Sequence, residues 1–578
     1  MPRLCLAALL LGACGSDDED AGPANPIDLL ADTNRSGRIE FEAASENAGE
    51  AEWNADHGAI FLANIDDDLK RCPQSTSDLE LAGCNDAADE VLNGPDDLFD
   101  LAPLAIRAWP RAPDGASARL ELGLPGAGFV RLFRRLENDV VKLEQSPSFD
   151  TADLRTGVGL AIEGKDILRD AANWDGLLEV TLIVESKTGE LGRDTLQLRL
   201  SPVMTYHQLL PVEVIHATDL PGSADSAEFR SEIGRAMVEA GAPGPLHELV
   251  LDDDWTQDFF EPAYMSMPAP GGNQHVIWVY YRSANTRDPA PLLRAAGQVV
   301  FNVFRGKNIA GVQEFDRARA PMDDTFDSMG NTETIPPYEL SGVSYPLGRL
   351  FRGSVELADQ SFRRMLEAQR IQPPVYIPTD WLSVGHVDET ITFVKADTPR
   401  GWAVLVSDPR LAHDMLQEQA NGSAKMFTGL YWEQELAETS VSAVLADTEV
   451  MSASAEAVAE IDAQLELLKA ETGITDAEIV RIPFLFGREP DGLRAYQPAT
   501  VNGAYLSDRD FAAPKPHGPI MGGKDIFETQ LERALSAIGL RVHFIETWDL
   551  YHTRGGEVHC GTNTTRKIPL LNWWETGR

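Results

Sequence analysis

Cys560 sits in GEVHCGTN, Gly556 to Asn563, between a strand-like Glu-Val-His and a Gly-Thr-Asn turn. His386 and Asp388 lie two residues apart in DWLSVGHVDE, Asp380 to Glu389, and Asp258 follows Gln257 in DDDWTQDFFEPAY. A thiol, an imidazole and two carboxylates suit attack on a planar cationic carbon such as that of a guanidinium. That group is resonance-stabilised, so breaking its C–N bond needs carboxylates to hold the charge and orient the plane. It also needs a strong nucleophile and an acid to protonate departing ammonia. On a strand, His386 and Asp388 would share one face and Val387 the other, and the sequence predicts a strand there.

The remaining cysteines place the chain in a compartment. Arg3 precedes the apolar run Leu4 to Leu11, too short to span a membrane. Leu11-Gly12-Ala13-Cys14 has the form of a bacterial lipobox, so a signal peptide is expected over 1–13, with lipidation at Cys14. GSDDEDAGPANP then reads as a flexible acidic tether, 14–27. The expectation is an exported lipoprotein of the outer membrane or cell surface, touching the membrane only through its anchor, with the periplasm and an ordinary secretory signal as the alternatives. Cys72 and Cys84 are close enough in sequence to form a disulfide in an oxidising compartment, which leaves Cys560 as the expected free thiol.

At 578 residues, 43% hydrophobic and 24% charged, the chain has the composition of a globular protein of two or more domains. Its 49 Lys+Arg against 91 Asp+Glu give a net charge of −42. That excludes a nucleic-acid binder and favours calcium or a cationic substrate, both drawn by a negative field. Residues 28–203 read as all-β: Ala118–Leu124, Leu178–Val184 and Thr195–Leu200 alternate apolar with polar residues. An immunoglobulin-like sandwich is the simplest architecture for this pattern. From 204 to 578 strands and helices mix. Helical spacing covers Glu228–Ala240, Ala453–Thr472 and Asp525–Ile538, and short β runs include Val276–Tyr281, Thr390–Val394 and Ala403–Val406.

Oxygen-bearing side chains alternate in Asp32-Thr33-Asn34-Arg35-Ser36-Gly37-Arg38-Ile39-Glu40, the front of a calcium loop, although Ala43 stands where its bidentate glutamate would be. A second acidic set, Asn64, Asp66 and Asp68 with Asp86, Asp89, Asp97 and Asp100, repels itself unless cations lie between its members.

Together these stretches resemble protein-arginine deiminases, calcium-dependent enzymes that convert peptidyl-arginine to citrulline. The resemblance runs from about 28 to 578 and has no counterpart to the first of the two immunoglobulin-like domains of vertebrate members. It implies a multidomain chain: an immunoglobulin-like β-sandwich followed by a five-bladed α/β propeller, pentein-type, with the active site at its axis. It implies Cys560 as nucleophile, His386 as general acid/base, and Asp258 and Asp388 as guanidinium carboxylates. Trp255 would pack on the arginine stem, Arg287 would contact the substrate backbone, and Arg554 would lie near the entrance. It implies calcium on Gln257, Glu261 and Glu333, with backbone carbonyls of Met329 and Thr332. Further calcium would sit on Asp32, Asn34, Ser36, Arg38 and Glu40, and on Asn64, Asp66, Asp68, Asp86, Asp89, Asp97 and Asp100. Phe259, Arg282 and Thr286 replace ligands of a second catalytic-domain site, which is expected to be lost. Partners would be arginine-containing proteins or peptides. The competing readings are a deiminase of free arginine or another small guanidine, and a calcium-binding adhesin with an inactive enzyme domain.

Overall fold

Period-two alternation in the first third of the chain produces strands. Ser117–Leu122, Leu177–Ser186 and Gly189–Leu200 bury Leu120, Leu178, Leu182, Leu196 and Leu198. The computed structural model describes residues 26–578 apart from 76, 90, 138, 288–291, 319–324 and 421. The expected signal peptide, Cys14 and nearly all of the tether lie outside the described residues.

Two five-stranded sheets organise the first part. One runs, in spatial order, Leu29–Ala31, Ala102–Ile106, Val158–Gly164, Val130–Arg135 and Val140–Lys142, antiparallel throughout. The other runs Ala59–Phe61, Gly189–Leu200, Leu177–Ser186, Ser117–Leu122 and Ser148–Phe149. Leu104, Leu132 and Leu160 of the first sheet and Leu120, Leu182 and Leu198 of the second share one apolar core. Cys72 and Cys84 are joined by a disulfide in the loop region between Ala59–Phe61 and Ala102–Ile106.

From Met204 onward the main sheets are five, each of three or four strands and each combining antiparallel with parallel pairing. A parallel pair needs a crossover, and helices supply it. Ala224–Ala240 links Val212–Asp219 to His247–Val250, and Gln360–Ala368 links Arg349–Gly353 to Val375–Ile377. Thr448–Thr472 lies between Trp402–Asp408 and Ile479–Pro483, and Ile526–Ala537 between Asp510–Pro514 and Arg541–Ile545. The first helix and Thr448–Thr472 begin ahead of their apolar pattern because Ser223 and Asp447 accept backbone N–H bonds as N-caps; Asp525 does the same for Ile526–Ala537. The last strand, Thr562–Arg566, pairs antiparallel with Val212–Asp219. The end of the chain therefore returns to the first module and brings Cys560 with it. No helix among the described residues is long and apolar enough to cross a membrane.

Two backbone expectations are corrected. His386 to Asp388 is not a strand: His386 is extended, Val387–Glu389 form one 3-10 turn, and the strand begins at Ile391. The His386 N–H donates to Glu389 Oε1 at 2.8 Å, which closes a turn and removes the donor a sheet would need. Glu557-Val558-His559 is also a turn. Gly561 N donates to Glu557 O at 3.1 Å and Thr562 N to His559 O at 3.0 Å, so the strand starts only after the cysteine.

The two parts are joined by buried contact. Residues 201–208 are all buried. Gly37 adopts φ +86° and packs so closely on Ala269 and Pro270 that a Cβ there would lie 2.1 Å from the Ala269 carbonyl carbon, a site only glycine can fill. The Arg282 guanidinium, fully buried, donates to Asp78 Oδ1 and to Gln313 Oε1, each at 2.6 Å. Removing one partner of a buried pair strands the other charge. Arg282→Met should lower stability by about 3 kcal/mol, and adding Asp78→Asn should recover part of it; thermal melting of both variants checks this.

Candidate active site

Two turns and one short helix, not strands, deliver the reactive groups. Cys560 lies in the turn before the final strand, 4% exposed. Its Sγ is 3.8 Å from Asp388 Oδ2 and 3.4 Å from Asn502 Oδ1. Asp258 lies in the short helix Thr256–Phe259, which is tied to the cysteine by Gln257 N donating to Cys560 O at 3.1 Å. Asp258 Oδ1 is 3.9 Å from His386 Nδ1. The structure thus brings Asp258, His386, Asp388 and Cys560 together.

The His386 Nε2–H donates to Thr325 O at 2.8 Å, which leaves Nδ1 as an acceptor in the neutral ring. His386 Nδ1 and Asp388 Oδ1 are both buried without a hydrogen-bond partner among the described residues. Two convergent acceptors beside a thiol lack a donor, and a planar cation rich in N–H groups is what they fit. Gly330 makes room for them: a Cβ there would lie 2.6 Å from His386 Nδ1 and 3.3 Å from Asp388 Oδ2.

Glu389, Phe484, Phe486, Asn502, Gly555, Gly556 and Cys560 are among the residues lining a small cavity at the thiol. Trp255 flanks it, tilted against Tyr551 at 5.4 Å, and a Cβ on Gly556 would strike its ring at 2.2 Å. Arg554 stacks on Trp255 at 5.1 Å and pairs with Asp254. Arg287 ends the two-residue strand Thr286–Arg287, which pairs antiparallel with Leu292–Leu293, and its side chain lies outside the described residues.

Several residues of this site carry no sequence signal. Asn502 bonds the Cys560 thiol, and its Nδ2 donates to Asp388 O at 3.2 Å. Arg294 donates to Asp258 Oδ2 at 2.7 Å and twice to Asp253, and it lies over the Phe259 ring at 5.2 Å. One oxygen of Asp258 is thereby occupied, and the other faces His386. His559 was legible only as a neighbour of the cysteine. Its Nδ1 is 2.8 Å from Asp388 Oδ2 and its Nε2 3.2 Å from Glu333 Oε1.

Burial pushes the Cys560 thiol well above its ordinary value, and the Asp388 and Asp258 charges push it further. Burial and Asp388 raise Glu389 to about 8. A thiol raised in this way is neutral at pH 7 and ionises only above the usual range. Alkylation of Cys560 by the neutral reagent iodoacetamide should be slow at pH 7 and still rising past pH 9, and a plateau below pH 8 would contradict this.

The oxygen groups expected to hold calcium form separate sets. Gln257, Glu261 and Glu333 line a polar cavity of about 30 Å³, with His559 and Arg566 on its wall. Burial and Glu333 hold Glu261 well above the usual carboxylate range, and burial raises Glu333 to about 7. Met329 and Thr332 are buried at the turn leading to Glu333, where Thr332 N donates to Met329 O. In the first part, Asp66, Asp68 and Asp100 offer oxygens within 4.8 Å of one another. Five buried acceptors there lack partners among the described residues: Asn64 Oδ1, Asp66 Oδ1, Asp68 Oδ1 and Oδ2, and Asp100 Oδ2. An all-oxygen set of this kind fits a hard cation such as calcium. Burial drives Asp66 well up and Asp100 to about 9.

The neighbouring acids are already engaged. Arg71 pairs with Asp86 and Asp89 at 3.0 and 3.1 Å, and Asn64 Nδ2 donates to Asp97 at 2.6 Å. In the loop from Asp32, the Asp32 oxygens accept from Ser36 N and Gly37 N, Asn34 Oδ1 accepts from Ser36 N, and Ser36 Oγ donates to Arg38 O. Arg38 and Glu40 pair with each other on the surface. The buried Glu46, missed in the sequence, closes that loop by accepting from Thr33 N and Glu40 N.

A carboxyl raised in the folded state stabilises below its unfolded pKa, and that contribution is lost as pH rises through the folded value. For Asp100 the loss spans about pH 4 to about 9. In chelator at pH 8, Asp100→Asn should raise the melting temperature by roughly 2 °C and remove most of the rise that calcium gives the unsubstituted protein. Differential scanning calorimetry reads both.

A family model described as protein-arginine deiminase (PAD) matches residues 190–575. Protein-arginine deiminase type-4 of Rattus norvegicus is 30% identical, over 95% of this chain and 82% of that one. Protein-arginine deiminase type-1 of Homo sapiens is 29% identical over the same shares. Among solved structures, agmatine deiminase of C. Jejuni aligns with a TM-score of 0.37 and 10% identity, covering 64% of this chain and 97% of that one.

Proposed function

Because the chain belongs to the protein-arginine deiminase family, hydrolases acting on guanidino C–N bonds, we propose that it converts peptidyl-arginine to peptidyl-citrulline and ammonia, with calcium, through a covalent thiouronium on Cys560. The observation that carries this is the buried thiol flanked by carboxylates, with Asp388 Oδ1 and His386 Nδ1 both lacking a donor among the described residues.

Asp388 Oδ1 and Asp258 Oδ1 take the guanidinium N–H groups and fix its plane, with the stem along Trp255. Burial and two neighbouring charges keep the thiol neutral, and arrival of the cation offsets the charges. The thiol proton passes to His386 and Sγ bonds to the central carbon. The tetrahedral adduct breaks a C–N bond as His386 returns the proton to the leaving nitrogen, which departs as ammonia. Water then gives a proton to His386 and adds to the thiouronium carbon. Breaking the C–S bond passes the proton of His386 to sulfur and restores the thiol, and loss of the added oxygen's remaining proton to solvent leaves the neutral ureido product. Bound calcium would supply fixed positive charge to Glu261, Glu333 and Gln257, and in the first part to Asp66, Asp68 and Asp100 with Asn64.

The same proposal covers organisation and location. Residues 28–203 form a calcium-binding immunoglobulin-like sandwich, and 204–578 a propeller whose five sheets are its blades. Return of the final strand to the first module supports that closure. The chain is exported and held by a lipid on Cys14.

Release of citrulline and ammonia from a blocked arginine amide should require calcium. It should fall by at least about 10³-fold in Cys560→Ala and in Asp388→Asn. Turnover of free arginine alone would move the reading to a small-guanidine deiminase. No turnover of either substrate would end it.

A further inference from the structure

His559 is the chain neighbour of Cys560, and its ring meets Asp388 Oδ2, the oxygen that Cys560 Sγ also approaches. The imidazole bridges two carboxylates, Asp388 Oδ2 at 2.8 Å and Glu333 Oε1 at 3.2 Å. A ring donating both N–H groups to carboxylates is held at both ends. Its main chain is fixed as well, His559 N donating to Asn502 O at 3.1 Å, while Asn502 Nδ2 holds the Asp388 carbonyl. The contact at Oδ2 decides which way Asp388 faces. With Oδ2 engaged, Oδ1 is the oxygen left without a partner. At its other end the ring forms part of the wall of the polar cavity lined by Gln257, Glu261 and Glu333.

We propose that His559 is a positioning residue that couples a cation in the Glu333 cavity to the presentation of Asp388 toward the substrate guanidinium. The inference rests on the deiminase reading above and concerns how its two sites communicate. Through space, a cation at Glu333 and a guanidinium at Asp388 repel each other, so mutual strengthening has to be carried by bonded contacts. Two such routes run from the cavity to the carboxylates proposed to hold the guanidinium. One is the chain step from Gln257 to Asp258; the other is Glu333–His559–Asp388. A cation that engages the Glu333 oxygens weakens their hold on Nε2 and leaves the ring committed to Asp388. By reciprocity, a guanidinium on Asp388 tightens the cation by the same factor.

The test measures that factor without turnover. In Cys560→Ala, binding of a blocked arginine amide is followed by calorimetry in saturating calcium and in chelator. Calcium is expected to tighten the ligand at least tenfold. Two further substitutions in that background cut the link at opposite ends. His559→Asn retains a donor where Nδ1 lies and loses Glu333; His559→Gln reaches toward Glu333 and loses Asp388. Both should bring the calcium effect below about threefold. In chelator, His559→Asn should keep the ligand affinity of its parent within about threefold. A role confined to stability would alter melting or both affinities together and leave their ratio intact. A tenfold effect that persists in either folded variant overturns the proposal and assigns the coupling to Gln257–Asp258. Absence of any calcium effect in Cys560→Ala itself overturns the calcium-dependent reading on which the proposal rests, a result distinct from the other.

Discussion

Carboxylates buried beside one another repel, and each must find a cation, a donor or a proton. This chain meets that requirement mostly with its own guanidinium groups. Arg131 pairs with Glu163, Arg352 with Asp327, Arg282 with Asp78, Arg71 with Asp86 and Asp89, and Arg294 with Asp253 and Asp258. Against that background the exceptions stand out. Asp66, Asp68 and Asp100 have no such partner within the described residues, and neither does Asp388 Oδ1. Where the protein supplies the positive charge the arrangement is architectural, and where it withholds the charge the arrangement awaits a ligand. Calcium and a guanidinium are the two cations that fit those places.

The same constraint explains the thiol. A thiolate is the stronger nucleophile, but Cys560 lies among acids that oppose its ionisation. The arrangement suits a substrate that brings positive charge with it, because the cation that must be attacked is also what permits the attacking group to form. A neutral ligand would leave the thiol protonated.

Position is supplied by the closure of the fold. Asp258 follows the first module, His386 and Asp388 lie in the middle of the catalytic half, and Cys560 precedes the last strand. These segments meet because Thr562–Arg566 returns to Val212–Asp219. The reactive groups sit on turns, where backbone N–H and C=O groups are free to orient side chains and not committed to ladders. Glycines at 330 and 556 allow the approach, since a side chain at either would occupy the space of His386 or Trp255.

The sequence by itself determined the reagents. Resemblance to a known family named Cys560, His386, Asp388 and Asp258 as candidates, while residue type and local spacing marked the acidic loops and the segments of alternating or helical period. It misjudged the backbone around His386 and Cys560, since Glu389 turning back on His386 is a side-chain event that a period-two pattern hides. Only the tertiary structure decided the partners. Nothing near position 294 marks that arginine for Asp258, nothing marks Asn502 for Cys560, and nothing separates Asp86, bound to Arg71, from Asp66 and Asp100. Such pairings join residues far apart in the chain through burial and charge, and local spacing carries no record of which distant group arrives.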